Sequence, residues 1–268
     1  MARILVLSSW TSAGHVGLSA AVPALQALGH VPLQLPTIVL SNEPGFAHTA
    51  GDRIPPEQLA AMIDALEGNG WLSGLDALLT GYLPSAAHVE IAVGLVARIR
   101  RLSPAARVVV DPILGDTAEG LYLDPVAAAG VRDRLVPLAD ILTPNGFELG
   151  WLSGQGIATL AEAVAAARDL GARVLVTTPP LTDAAGVLDV GPGAPVLYET
   201  PQFRDVPHGV GDVFSALIAA GEPVGAAVGH LAALCAASSG AEHLALVPAS
   251  AWMAALPVAG RSLAESEG

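Results

Sequence analysis

The sequence predicts an α/β fold: a mainly parallel central sheet covered by helices on both faces. Three observations predict it. Short apolar runs alternate with longer alanine-rich stretches of helical character along most of the chain. The apolar runs are continuous rather than alternating, as strands buried on both faces require. Hydrophobic residues make up 52% of the 268 residues and charged residues only 14%, enough for one sizeable core. No composition break, low-complexity linker or internal repeat divides the chain, so residues 1–268 are read as a single domain.

The elements follow in order. Residues 4–7 are four strong apolar residues in a row and form the first strand. Residues 17–28, rich in alanine and leucine, form a helix. Residues 31–35 and 37–40 read as two strands, separated at Pro36, which cannot donate to a ladder. Residues 56–66 form a helix that opens on a proline, and Ala77–Thr80 a strand. Ala86–Leu102 is a helix and Arg107–Val110 a strand. Then come a helix at 126–135, a strand at 140–143, a helix at 159–170 and a strand at 174–177. A Gly/Pro-rich patch leads into a hairpin at 186–190 and 196–200. Helices dominate from Val213 onward.

Charge and composition exclude several functions. Asp and Glu number 25 against 12 Lys plus Arg, a net charge of -13, which argues against nucleic acid as a bulk partner. All the basic residues are arginine. The missing lysine excludes a P-loop nucleotide site and a lysine Schiff base. Residues 224–241 carry no formal charge but are mostly alanine and small or polar residues, so they read as a buried helix rather than a membrane span. The first residues lack the long apolar stretch of an export signal, and the single Cys235 excludes a disulfide framework. A cytoplasmic location is expected. The histidines show no metal-ligand spacing.

In such a sheet the chemistry lies beyond the carboxyl ends of the strands. Polar residues stand at four of them: Ser8-Ser9 with Gly14-His15-Val16-Gly17, Thr80-Gly81-Tyr82, Asp111-Pro112-Ile113-Leu114-Gly115-Asp116, and Thr143-Pro144-Asn145-Gly146-Phe147-Glu148. Later, Gly209-Val210-Gly211-Asp212 opens an apolar helix. Its glycines let backbone N–H groups converge, and the helix N-terminus adds partial positive charge, so the loop can hold an anion without lysine. Asp212, in the first turn, can accept a proton from a hydroxyl attacking a phosphate. Taken singly, each motif has an ordinary structural account. Gly-x-Gly-Asp can be a turn with a cap, Asn145-x-x-Glu148 helix-start chemistry, and Tyr82 a core aromatic. Their joint order at strand ends points to a site.

That ordered set resembles the ribokinase-like kinase superfamily, and within it the pyridoxal kinases, from about Ile4 to Ala220. Leu40-Ser41-Asn42 and Gly120-Leu121-Tyr122 add to it. The resemblance implies a ribokinase-like three-layer sandwich. It implies transfer of the ATP γ-phosphate to the 5'-hydroxyl of pyridoxal, pyridoxine or pyridoxamine. Asp212 would be the catalytic base, with Gly209, Val210 and Gly211 as the anion hole. Ser9 and Tyr82 would contact the pyridine ring. Asp111, Thr143, Asn145, Glu148, Thr177 and Thr178 would serve the nucleotide, and Asp116 with Glu148 the Mg²⁺. A homodimer and a monovalent cation dependence are further implied. The expected partners are ATP and a B6 vitamer, with neither nucleic acid nor membrane. Arg204, shortly before the glycine loop, is a candidate mobile cation, and His208 touches that loop.

Two departures concern substrate choice. Glu43 puts a carboxylate where imidazole is frequent in the family, and Pro44 removes a hydroxyl often found there. The first favours a cationic amine substrate. The rival readings are a hydroxymethylpyrimidine or other small-alcohol kinase of the same superfamily, and a catalytically weak homologue that binds pyridoxal phosphate.

Overall fold

The computed structural model describes residues 1–263; residues 264–268, the end of the expected single domain, lie outside the described residues. The chain runs β1 (Arg3–Thr11), α1 (Leu18–Ala27), β2 (Val31–Leu40), β3 (Gly51–Arg53), α2 (Pro56–Gly68), β4 (Ala77–Thr80), α3 (Ala86–Leu102) and β5 (Arg107–Val110). It continues through β6 (Gly115–Asp116), β7 (Gly120–Leu121), α4 (Pro125–Gly130), β8 (Ile141–Leu142), α5 (Gly146–Ser153), α6 (Leu160–Asp169) and β9 (Arg173–Thr177). Last come β10 (Ala184–Val190), β11 (Val196–Pro201), α7 (Val210–Ala220), α8 (Val224–Ser238) and β12 (Arg261–Ser262).

Among the described residues, ten strands form the main sheet in the order β12-β11-β10-β9-β8-β5-β4-β1-β2-β3. From β2 through β1, β4, β5 and β8 to β9 every pairing is parallel. Both edges turn antiparallel, β3 on one side and β10 to β12 on the other. Strand alternation divides the core in two. Leu5 and Leu7 belong to the core on the side of α2 to α6, with Leu59, Val89, Leu149 and Val164. Ile4 and Val6 belong to the core on the side of α1, α7 and α8, with Leu18, Phe214 and Leu234. The expected three layers are therefore present. Among the described residues no helix is long and apolar enough to cross a membrane. Within the uncharged 224–241 stretch, Val224–Ser238 form α8, which buries Val224, Ala227, Val228 and Leu234.

Several boundaries differ from the sequence reading, each for a physical reason. The first strand runs on to Thr11 because β2 keeps pairing with it as far as Leu40. β2 does not break at Pro36. Val31 donates its N–H to Ala2 on the β1 side. Alternation then aims the N positions of 32, 34 and 36 outward, where β3 has not yet come alongside: its pairing starts at Ile38 opposite Arg53, flanked by the Ile54 N–H on the Thr37 carbonyl. Pro36 thus loses no ladder bond. Ser8 pairs Pro36 but Trp10 pairs Val39, so β2 carries one extra residue, a bulge beside Ser9. The helix expected at 126–135 stops at Gly130 and goes on as a π-helical turn, Val131–Leu135. The short α5 and the β6–β7 hairpin had no periodic signal. Gly115 makes that hairpin possible, since a Cβ there would lie 1.9 Å from the Gly120 carbonyl oxygen.

Candidate active site

The strand ends of β1, β4, β5, β8 and β9 and the start of α7 surround one cavity of about 650 Å³. It is lined by Ser9, Tyr82, Asp111, Asp116, Thr143, Asn145, Glu148, Thr177, Gly209, Gly211 and Asp212. Most of the residues singled out in the sequence therefore meet in one place. Two do not line it. Val210 packs its side chain against the α1/α7/α8 core, and Thr178 lines an adjoining depression with Asn145 and Asp116.

Backbone geometry builds the glycine loop. Gly209 has φ 102° and precedes α7, and a Cβ there would lie 1.8 Å from the His15 carbonyl oxygen. Only glycine fits. Gly17, with φ 56°, lies so close over Ser9 that a Cβ would meet its hydroxyl at 2.2 Å. The Gly17 N–H faces the Asp212 carboxylate, so the start of α1 adjoins the start of α7. Burial raises the Asp212 carboxyl to about 6; that N–H and His208 oppose the rise, and Glu43 adds to it.

Tyr82 is fixed through its backbone. Its N–H donates to the Ser8 hydroxyl at 3.2 Å, and its carbonyl accepts from the Thr37 hydroxyl at 2.7 Å. Its phenol is half-buried, and burial raises its pKa.

Asp111 is buried and accepts from the Ser215 hydroxyl at 2.8 Å; Ser215 lies within 2.8 Å of the Thr143 hydroxyl. Ser215 was not picked out in the sequence. The signal was present, because it stands three residues after Asp212 and so on the same face of α7. Ile113, at φ 43°, is a β-branched residue in the left-handed region. Its N–H donates to Asp111. Burial, then Glu148 and Asp212, push the Asp111 carboxyl well above the usual range.

Asn145 and Glu148 form the capping box of α5: the Asn145 side chain accepts from Glu148 N–H, and Glu148 accepts from Asn145 N–H. Glu148 also accepts from the Leu114 N–H at 2.8 Å and from the Gly115 N–H. Asn145 donates to the Gly115 carbonyl at 2.9 Å. Helix-start chemistry and site membership are thus the same fact here. Burial raises the Glu148 carboxyl to about 7, against those three backbone donors.

Asp116 accepts from the Tyr122 hydroxyl and from the N–H groups of Ala118 and Glu119, and the Tyr122 bond leads in holding its carboxyl below the usual range. Arg204 is exposed and does not line the cavity; its carbonyl accepts from Ser239. His208 does line it.

The cavity lining holds carboxylates from Glu43, Asp111, Asp116, Glu119, Glu148 and Asp212, with His208 as its basic side chain and no arginine. Such a surface calls for a cation. Among the described residues, no three His, Cys, Asp or Glu side chains gather as a metal cage. Mg²⁺ does not require one, because it binds through one or two carboxylates and keeps waters and phosphate oxygens as its other ligands. A carboxylate offers about four acceptor positions. Three backbone donors reach Glu148, and three donors reach Asp116, leaving each room for one further contact.

A family model described as phosphomethylpyrimidine kinase matches residues 11–234. The pyridoxal kinase of Corynebacterium diphtheriae is 36% identical over 223 residues, which cover 80% of this chain and 79% of the relative. The pyridoxine/pyridoxal/pyridoxamine kinase of Bordetella avium is 38% identical over 215 residues, 77% and 73% of the two chains. The solved pyridoxal kinase of Leishmania donovani in complex with ADP and pyridoxine superposes with a TM-score of 0.87 at 26% identity, covering 98% of this chain and 99% of that one.

Proposed function

The chain belongs to the phosphomethylpyrimidine kinase family, and on that premise we propose that its cavity transfers the γ-phosphate of ATP to the 5'-hydroxyl of a B6 vitamer. The observation that carries the site assignment is Asp212. It stands in the first turn of α7, beside a glycine turn that no other residue fits, and opens onto the cavity. Phosphoryl transfer is mostly positioning and charge neutralisation. Asp212 takes the proton of the attacking hydroxyl. The N–H groups of Gly209, Val210 and Gly211, at the positive end of α7, receive the charge on the moving phosphoryl group. Ser9 and Tyr82 hold the pyridine ring. Asp111, Thr143, Asn145 and Thr177 serve the nucleotide, with Thr178 at the adjoining depression. Asp116 and Glu148 would hold Mg²⁺, which supplies the positive charge that this lysine-free cavity lacks. The same reading takes the enzyme as cytoplasmic and, on the strength of the family resemblance, as a homodimer that responds to a monovalent cation.

The family description, phosphomethylpyrimidine kinase, keeps a pyrimidine substrate as a second reading, and hydroxymethylpyrimidine is the pyrimidine alcohol that tests it. Steady-state phosphorylation of pyridoxal, pyridoxine, pyridoxamine and hydroxymethylpyrimidine by the purified protein with ATP and Mg²⁺ separates the two. The expected outcome is turnover of the vitamers, with kcat/KM for hydroxymethylpyrimidine at least tenfold lower. The reverse order would overturn the assignment.

A further inference from the structure

Glu43 stands on the loop after β2 and lines the cavity together with Tyr82 and Asp212. Its position is fixed from behind. The Asn42 side-chain amide donates to the Glu43 carbonyl at 2.9 Å, and the Thr49 hydroxyl reaches the same carbonyl at 3.4 Å. Asn42 also donates to Thr49 at 3.0 Å, and Ser41 braces Asn42 at 2.6 Å while accepting from Ala50 N–H at 3.0 Å. The clamp uses only the backbone of Glu43. Among the described residues, its half-buried carboxylate has neither an ion pair nor a hydrogen-bond donor, although the chain places arginines against acidic side chains in many other places. A carboxylate that is anchored through its backbone, lines a ligand cavity and lacks a cation is arranged to receive one from the ligand.

The vitamers differ at one substituent. Position 4 carries an ammonium group in pyridoxamine, a hydroxymethyl group in pyridoxine and an aldehyde in pyridoxal. That substituent is the ring neighbour of the 5-hydroxymethyl group that reacts. Glu43 lines the same cavity as Asp212, so with the reacting hydroxyl at Asp212 its unpaired carboxylate is available to the neighbouring substituent. Resting on the kinase reading above, we propose that Glu43 is a specificity-determining residue that pairs with the 4'-ammonium of the substrate, so that this enzyme prefers an aminomethyl vitamer to the neutral ones.

The test is a comparison of kcat/KM for pyridoxamine and pyridoxine in the wild type, Glu43→Gln and Glu43→Asp. A charge-assisted hydrogen bond in a partly dry site is worth roughly a tenfold or larger preference. The wild type is expected to favour pyridoxamine by about that factor. Glu43→Gln, which keeps the shape and removes the charge, should bring the ratio close to one. Glu43→Asp should keep a preference of the same sign. A wild type that turns over pyridoxine as well as or better than pyridoxamine overturns the inference whatever the variants do, and leaves the kinase reading standing. An unchanged ratio in Glu43→Gln overturns it too. A wild type that phosphorylates no vitamer overturns the kinase reading and this inference with it.

Discussion

At Asp212 two sets of neighbours act in opposite directions. Burial and the charge of Glu43 favour the protonated carboxyl; the Gly17 N–H and His208 favour the carboxylate, and the balance leaves it near 6. A base with that affinity is ionised at neutral pH yet more basic than an exposed aspartate, which suits proton transfer. The sign of its pH dependence follows. Below about 6 the group is protonated and cannot accept, so kcat should fall about tenfold per pH unit on the acid side and level off above pH 7. Asp212→Asn, which keeps the shape but not the basicity, should lose roughly 10²–10⁴-fold in kcat while still binding vitamer. Vitamer titration of the variant alongside a pH–rate profile of the wild type checks both. Near-normal turnover in the variant would remove Asp212 as the base.

The capping box of α5 shows how an element end and a site become one object. Glu148 receives N–H groups from Leu114, Gly115 and Asn145, so it joins the β5–β6 loop to the start of α5. Glu148→Ala should therefore damage the fold as well as the reaction. Leaving buried donors unpaired costs about 1–3 kcal/mol each, so a loss of about 2 kcal/mol or more is expected in urea unfolding. Asn145→Ala, which removes mainly the cap, should cost about 1 kcal/mol. A Glu148→Ala protein as stable as the wild type would confine Glu148 to ligand binding. This double duty also sets what could be read from the sequence. Asp111, Asn145 and Glu148 were legible because they directly follow apolar strands. The helix they begin was not, because α5 has eight residues and no periodic apolar face. Ser215 was missed because its partner, Asp111, is 104 residues away and only the fold brings the two together. The break expected at Pro36 failed for a related reason. A proline is read as a strand stop unless its missing N–H is known to point at an unpaired edge, and that depends on which strand lies on which side.

Across the whole molecule, the acid-rich cavity sets the chain's charge against its stability. Asp111, Glu148 and Asp212 all bind protons more tightly in the folded protein than in the unfolded chain, Glu148 at about 7 and Asp212 at about 6. Where the folded state holds more protons, stability falls as pH rises. Half-buried His15 and buried His88 act the other way: their pKa values lie below the usual 6.5, so they cost stability as pH falls through that region. Between pH 8 and about 6.5 the carboxylates outweigh the histidines, which are at most half protonated in the unfolded chain over that range. The ligand-free protein should therefore melt at a higher temperature at pH 6.5 than at pH 8. The net charge of -13 adds a general repulsion, but salt screens exposed charges far more than buried ones. Thermal unfolding in 0.5 M salt should keep the trend if the cavity causes it. Because Mg²⁺ with ADP competes with protons for the same carboxylates, its stabilising shift should be larger at pH 8 than at pH 6.5. A melting temperature that rises with pH in high salt, or a ligand shift independent of pH, would locate the strain elsewhere than in the carboxylates around Asp212.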